Sequence, residues 1–507
     1  MGEPASNCAI DGVVVNATTG EAIPRAHVTV MGMNVQSGTS TDNQGRWIFS
    51  GLACGQTQVI ATRPGFIQGS LGQPRVGAVF RPVILSRDSP LHDAKISLSP
   101  QAVVTGKVID DEGDPMMNVT ITTMAARVTD GRRTFQGQGS ANTNDLGEYR
   151  IAGLPAGKYI VCAQSAGFNM NVVDAAGDSR VQEHCYPGPV EAGAASAMEI
   201  AGNTARVDFT LARVPAVKIR GTLSGSSGHG VAVSLYKRLP NMAGRIGMPA
   251  TMAADGRFEI RGVTPGQYVL SADYWDSGKR LVARVPVEVG GADLDGVNVS
   301  LEPGFSLTGT VRIESKKATA ADPRQINLIL KSSDQMAGGG QMTWGKGRDS
   351  FTINELTPGN YRLECLPNGP FYLKSATLGG RDISKEEIPI TQAAGSVEVV
   401  LSDETGALEG QVEDSEGKPI ASWVMVLPAS DQAVRQPRNI ISGADGHFTV
   451  PNLAPGKYQV FAWDDPQQVE YANSDWMQRN SAPVSVTVEA GQTAQVSKIR
   501  QKTIPTL

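Results

Sequence analysis

Apolar and polar residues alternate along this chain in short runs, and Gly, Pro, Asp and Asn punctuate the gaps between them. Runs with a period of two, bounded by turn residues, predict β-strands that bury one face. Apolar residues at helical spacing are nearly absent. One run recurs five times, at intervals of about 90–115 residues. Its clearest form is Asp-Gly-x-aromatic-x-apolar-x-x-Leu-x-Pro-Gly-x-Tyr. The copies begin at Asp42 (Trp47, Phe49, Leu52, Gly55), Asp145 (Tyr149, Ile151, Leu154, Gly157, Tyr159) and Asp255 (Phe258, Ile260, Val263, Gly266, Tyr268). Two more begin at Asp349 (Phe351, Ile353, Leu356, Gly359, Tyr361) and Asp445 (Phe448, Val450, Leu453, Gly456, Tyr458).

Asp or Asn beside Gly is hairpin chemistry, because Gly adopts positive φ without a steric penalty. The alternation that follows puts Trp47, Tyr149, Phe258, Phe351 and Phe448 in a core, and the strand after the Pro-Gly turn adds Tyr159, Tyr268, Tyr361 and Tyr458. Ile48, Arg150, Glu259, Thr352 and Thr449 fall on the outer face. Upstream of each copy lies Gly-x-Val-x-Asp/Asn-x-x-Gly-x-Pro, full at Gly106 and Gly410 and looser at Gly12, Gly221 and Gly309. Downstream lie a strand, a Gly turn and a strand ending in Leu, as in Val287–Leu301. Three elements in fixed order amount to about seven strands per 100 residues, the size of a β-sandwich.

This three-part pattern resembles the carboxypeptidase regulatory-like domain, a transthyretin-like (prealbumin-like) sandwich. The resemblance implies accessory modules of bacterial surface and secreted proteins, some grouped with carbohydrate-binding-like folds, and no catalysis by the module itself. The expectation is an all-β chain of five tandem seven-stranded antiparallel Greek-key β-sandwiches, transthyretin-like or Ig-like, at 1–100, 101–214, 215–303, 304–404 and 405–507. Joins as short as Ala212–Pro215 and Glu302–Gly304 restrict bending, which predicts an elongated rod.

Charge narrows the function classes. With 45 Lys and Arg against 50 Asp and Glu, the net charge is −5, without the basic excess of a nucleic-acid-binding protein. No apolar run approaches the roughly 20 residues of a membrane helix. The first residues lack the basic and apolar regions of a signal peptide, so the chain reads either as cytosolic or as a mature exported form with an initiator Met.

A search for chemistry returns no catalytic, cofactor-binding or metal-ligating set. His27, His92, His184, His229 and His447 are scattered, and neither a zinc-protease motif nor Gly-x-Ser-x-Gly occurs. Gly340–Lys346 has Walker-A spacing but is followed by Gly347 rather than Ser or Thr, and reads as a glycine-rich loop. Acidic turns such as Asp110–Asp114 lack the ligand alternation of an EF-hand and read as solvated hairpin turns. Five aromatics escape the core pattern: Tyr274, Trp275, Trp463, Tyr471 and Trp476. Exposed rings are what sugars or partner proteins stack on, so these are the candidate ligand contacts, the alternative being loops packed over the sandwich ends.

Cys54 replaces a turn residue with Cys8 within reach, and Cys162 has Cys185 nearby; both pairs are candidate disulfides, while Cys365 occupies an inward position. Two such pairs favour an oxidising compartment. The combined expectation is a non-catalytic secreted, periplasmic or cell-surface scaffold with a protein or polysaccharide partner; the alternative is a carbohydrate-binding protein using the rings of the third and fifth repeats. Nothing in the sequence selects an oligomeric state.

Overall fold

The computed structural model describes the chain except residues 1–5, 33–35, 74–82, 88–89, 165–175, 188–196, 201, 226–229, 238–241, 244–246, 277–278, 316–321, 323–325, 333–339, 348, 368, 392–394, 430–436 and 505–507. It is an all-β protein of several β-domains, with a short helix at Ser474–Asn480. Five large apolar clusters each draw on one stretch of chain: residues 8–98, 102–211, 217–301, 305–401 and 408–499. All nine aromatics of the repeat pattern are buried, whereas Ile48, which alternates with Trp47 and Phe49, is 69 % exposed.

The second repeat shows how a core is enclosed. One sheet contains Ala102–Asp110 and Glu148–Leu154; the other contains Thr120–Thr129, Arg132–Asn142 and Gly157–Gln164. The pairing corrects the expectation of wholly antiparallel sandwiches. In every repeat the first strand pairs antiparallel with the aromatic strand and parallel with the last: Ser6–Asn16 with Leu91–Leu98, for example, and Phe305–Glu314 with Ser396–Ser402. A last strand that arrives by a crossover instead of a hairpin is free to run parallel to its neighbour.

A glycine and a ring face each other at the centre of this arrangement in all five repeats. Gly12 pairs in register with Trp47, Gly106 with Tyr149, Gly221 with Phe258, Gly309 with Phe351 and Gly410 with Phe448. The ring lies across the glycine where a side chain would otherwise stand. A Cβ on Gly106 would meet Tyr149 at 2.8 Å and the Val207 carbonyl oxygen of the parallel last strand at 1.7 Å. That same carbonyl accepts the Tyr149 hydroxyl proton at 2.6 Å.

Two further devices recur. Four residues past the aromatic the backbone turns left-handed, at Gly51, Gly153, Gly262, Glu355 and Asn452, and the register slips there by a β-bulge. In the last four repeats the core tyrosine closes the Pro-Gly turn by donating to the carbonyl four residues back: Tyr159 to Pro155, Tyr268 to Thr264, Tyr361 to Thr357 and Tyr458 to Ala454.

The turn before the aromatic is built differently from the expected Asp-Gly pair. Its constant feature is a carbonyl two residues before the ring that accepts from the first strand: Gly45, Gly147, Gly256, Asp349 and Gly446 supply it. The acidic residue shifts position from repeat to repeat.

The expected elongated rod is also corrected. Lys331 of the fourth repeat pairs with Asp130 of the second at 2.5 Å, and Arg133 of the second bonds Glu470 of the fifth at 2.8 Å. Straight succession would hold these residues far apart. Short joins limit the range of angles between neighbours, but side-chain packing sets the angle itself. Between the second and third repeats that packing includes Lys218 on Asp178 at 2.8 Å and Arg180 on the Gly262 carbonyl at 3.1 Å.

Two substitutions test these devices through hydrogen exchange of the full chain. Gly106→Ala, which forces the last strand away, is expected to destabilise the second repeat by about 1–3 kcal/mol. Glu355→Gly removes a left-handed non-glycine residue, a cost of about 1–2 kcal/mol, against roughly 0.5–1 kcal/mol of glycine chain entropy. A modest gain in protection confined to the fourth repeat is the expected outcome.

Candidate functional site

Placing the five candidate rings on their strands separates them sharply. Tyr458, Val460 and Ala462 of the strand Gly456–Trp463 enter the fifth core, so Phe461 and Trp463 point to the opposite face. That face is not open to solvent. Phe461 and Trp463 pack with Met425, Leu427, Val469, Trp476, Met477 and Ile504 in a second apolar cluster. Trp463 is fully buried, stacked on Phe461 at 6.1 Å and tilted against Trp476 at 5.9 Å. The candidate ligand contacts Trp463 and Trp476 are therefore corrected to core residues, and Tyr471 packs half-buried at the edge of the same cluster.

The cover is made by the segment after the strand. Asp465 accepts from Gln467 N at 3.0 Å and caps a turn of 3-10 helix, and Asn473 accepts from Trp476 N at 3.2 Å and caps the helix Ser474–Asn480. This helix lays Trp476 and Met477 on the strand face. The sequence carried a signal for it: Trp423–Pro428 is apolar at nearly every position, as expected of a strand buried on both faces.

In the third repeat Tyr274 packs partly buried against the core, and Trp275 stands 59 % exposed near the end of a long hairpin, opposite Arg280 in register. Asp273 on the same hairpin accepts from Arg280 at 2.7 Å and from Arg284 at 2.9 Å. Of the five candidates Trp275 is the one that presents its ring to solvent.

The second repeat also carries a covered outer face. Met124, Ala126, Phe135, Ile160 and Cys162 form a cluster with Cys185 at its margin. Disulfides join Cys162 to Cys185 and Cys8 to Cys54, with Cα atoms 4.0 and 5.3 Å apart. Cys365 is a buried free thiol; loss of hydration pushes its pKa up to about 12, so it stays protonated and unreactive near neutral pH.

Groups that might carry other chemistry are engaged in structure. Among the described residues, Cys162, Glu183 and Cys185 are the one set of three spaced to ligate a metal, and the disulfide occupies both sulfurs. His92 pairs with Asp11 at 2.5 Å on the surface and holds that carboxyl below its usual range. His184 meets the edge of Phe209 at 5.9 Å, and His229 lies outside the described residues. Asp110 accepts from Glu112 N and Asp114 N, and Asp414 likewise from Glu416 N and Lys418 N, so each closes its own turn. The glycine-rich stretch is a strand where a loop was expected: Gln341–Trp344 pairs antiparallel with the aromatic strand of the fourth repeat. On the long hairpin of the second repeat, Arg127 bonds Gln138 at 2.6 Å and Arg133 bonds Glu470.

Paired sheets, crossover last strands and tyrosine-closed turns recur along the chain, and comparison with known families gives the first two repeats a name. Residues 9–78 and 103–212 match the carboxypeptidase regulatory-like domain. The Cys162–Cys185 disulfide lies inside the second of these domains, and the Cys8–Cys54 disulfide ties the residue just before the first one into it. No curated protein gives a significant match.

Among solved structures, the Bacillus anthracis TIE protein is 13 % identical at a TM-score of 0.18, with 59 % of this chain and 51 % of that one covered. The chain thus spans about half the length of that protein. A minor pilin of Streptococcus agalactiae is 14 % identical at a TM-score of 0.22, covering 41 % of this chain and 97 % of the pilin. The major pilin subunit of Bacillus cereus is 13 % identical at 0.16, covering 56 % and 98 %.

Trp463→Ala is expected to act on stability. Removing a fully buried indole costs about 3–5 kcal/mol, and the midpoint of the fifth repeat's unfolding should fall accordingly. An unchanged midpoint would return Trp463 to the list of ligand contacts.

Proposed function

We propose that the chain is a non-catalytic scaffold of an exported or cell-surface protein, built from five β-sandwich domains at 1–100, 101–214, 215–303, 304–404 and 405–507. The observation that carries this reading is the destination of the repeated residues. The paired glycine and ring, the bulge residue and the turn-closing tyrosine all go into cores and turns. What the repeats share is thus a frame, and what distinguishes them lies in hairpins and loops, where sandwich proteins place recognition. Two disulfides in the first two repeats support an oxidising compartment, secreted, periplasmic or at the cell surface. The partner is a protein or polysaccharide that meets these loops.

A narrower reading, sugar binding, is favoured by the exposure of Trp275 beside Arg280. A flat ring next to a cation is a stacking surface with a polar edge.

The compartment is tested by counting free thiols in protein taken from its native cells and denatured without reductant. One free thiol, Cys365, is expected; five would rule out an exported scaffold. Glycan-array binding that Trp275→Ala abolishes while Trp463→Phe retains it would favour the sugar-binding reading over a protein partner.

A further inference from the structure

The longest hairpin of the second repeat, Thr120–Thr129 with Arg132–Asn142, turns through Asp130 and Gly131, both at positive φ. Its tip is not in solvent. Gly131 lies under the ring of Tyr471, so that a Cβ there would stand 2.6–2.7 Å from ring carbons. The Gly131 carbonyl accepts from Ala472 N at 3.1 Å. Arg133 donates from Nε to Glu470 at 2.8 Å, and Glu470, almost wholly buried, takes a second bond from Asn473 at 2.9 Å. Asp130 pairs with Lys331 of the fourth repeat. Lys331 also approaches Glu364 at 3.6 Å, and Arg362 is paired with Glu364. Along its edge, Phe135–Gln136 pairs with Met242–Ala243 of the third repeat.

We propose that this hairpin is a clasp: it holds the second, fourth and fifth repeats in one folded-back body, and its release lets the array extend. Each contact is specific in a way that nonspecific crowding is not. A buried carboxylate with two donors is costly to strand, so Arg133 and Glu470 favour one docked geometry. Tyr471 fits because residue 131 has no side chain, and a glycine in a tight two-residue turn can be approached by an aromatic ring. The clasp uses the segment that covers the outer face of the fifth repeat, so docking and that cover are one structure. Such a device gives a surface scaffold two lengths, and tension along the chain would select the longer one.

Two experiments on the full chain decide it. Zero-length carbodiimide coupling at dilute protein should join Lys331 to Asp130, identified by mass spectrometry of the linked peptides in monomeric material. Gly131→Asn keeps a residue that tolerates the left-handed turn but puts a Cβ against Tyr471. It should abolish that cross-link and raise the radius of gyration from small-angle scattering by about a third, toward the value for repeats in linear succession. Circular dichroism and both disulfides should be unchanged. Wild-type protein lacking the cross-link, or a variant retaining both cross-link and dimensions, overturns the proposal. If Gly131→Asn loses structure, the native cross-link still decides.

Discussion

Each repeat depends on one close approach, a glycine in the first strand lying under the ring of its cross-strand partner. The sandwich requires three strands side by side, with the central one buried and the last one parallel to it. At Gly12, Gly106 and Gly221 any side chain would strike the carbonyl of the last strand at about 2 Å or less, so the parallel pairing exists only because those positions are bare. The ring then fills the space the missing side chain leaves, which recovers the packing a glycine forfeits in a strand. Bulge and crossover follow from it. The bulge turns the aromatic strand toward the Pro-Gly turn, and the crossover delivers the last strand alongside the bare backbone.

Much of the frame was legible from alternation. Trp47, Tyr149, Phe258, Phe351 and Phe448 lie where a period of two puts them, and Ile48 is exposed for the same reason. Cys8 and Cys54 could be paired because one replaced a turn residue next to the strand that the other leads. The direction of the last strand was not legible, since a crossover leaves no turn signature. Nor were the bulges: Gly51, Gly153 and Gly262 share a position with Glu355 and Asn452, and a left-handed glutamate carries no compositional cue.

The misjudged site residues share a physical cause. Trp463 looks exposed if a strand is granted one buried face, and the strands at Trp423–Pro428 and Gly456–Trp463 have two; Trp476 lies on the helix that covers the second face. The strands' runs of unbroken apolar residues were the available evidence. Trp463 escapes the core pattern because it faces outward, and a helix from the same chain covers it there.

That departure from alternation also marks where repeats meet. The second and fifth repeats carry secondary clusters on their outer faces, one beneath Phe135 and the other beneath Trp476, and these two repeats touch through the hairpin bearing Phe135. A sandwich with a polar outer face has nothing to lose by standing apart from its neighbours. One whose outer face is apolar must be covered, and in the fifth repeat the covering segment brings a group of its own, Glu470, to a position where Arg133 of the second repeat can reach it. Long-range organisation in this chain therefore grows out of a local rule of burial: where a strand acquires a second apolar face, the chain folds an extra element over it, and that element becomes the contact surface.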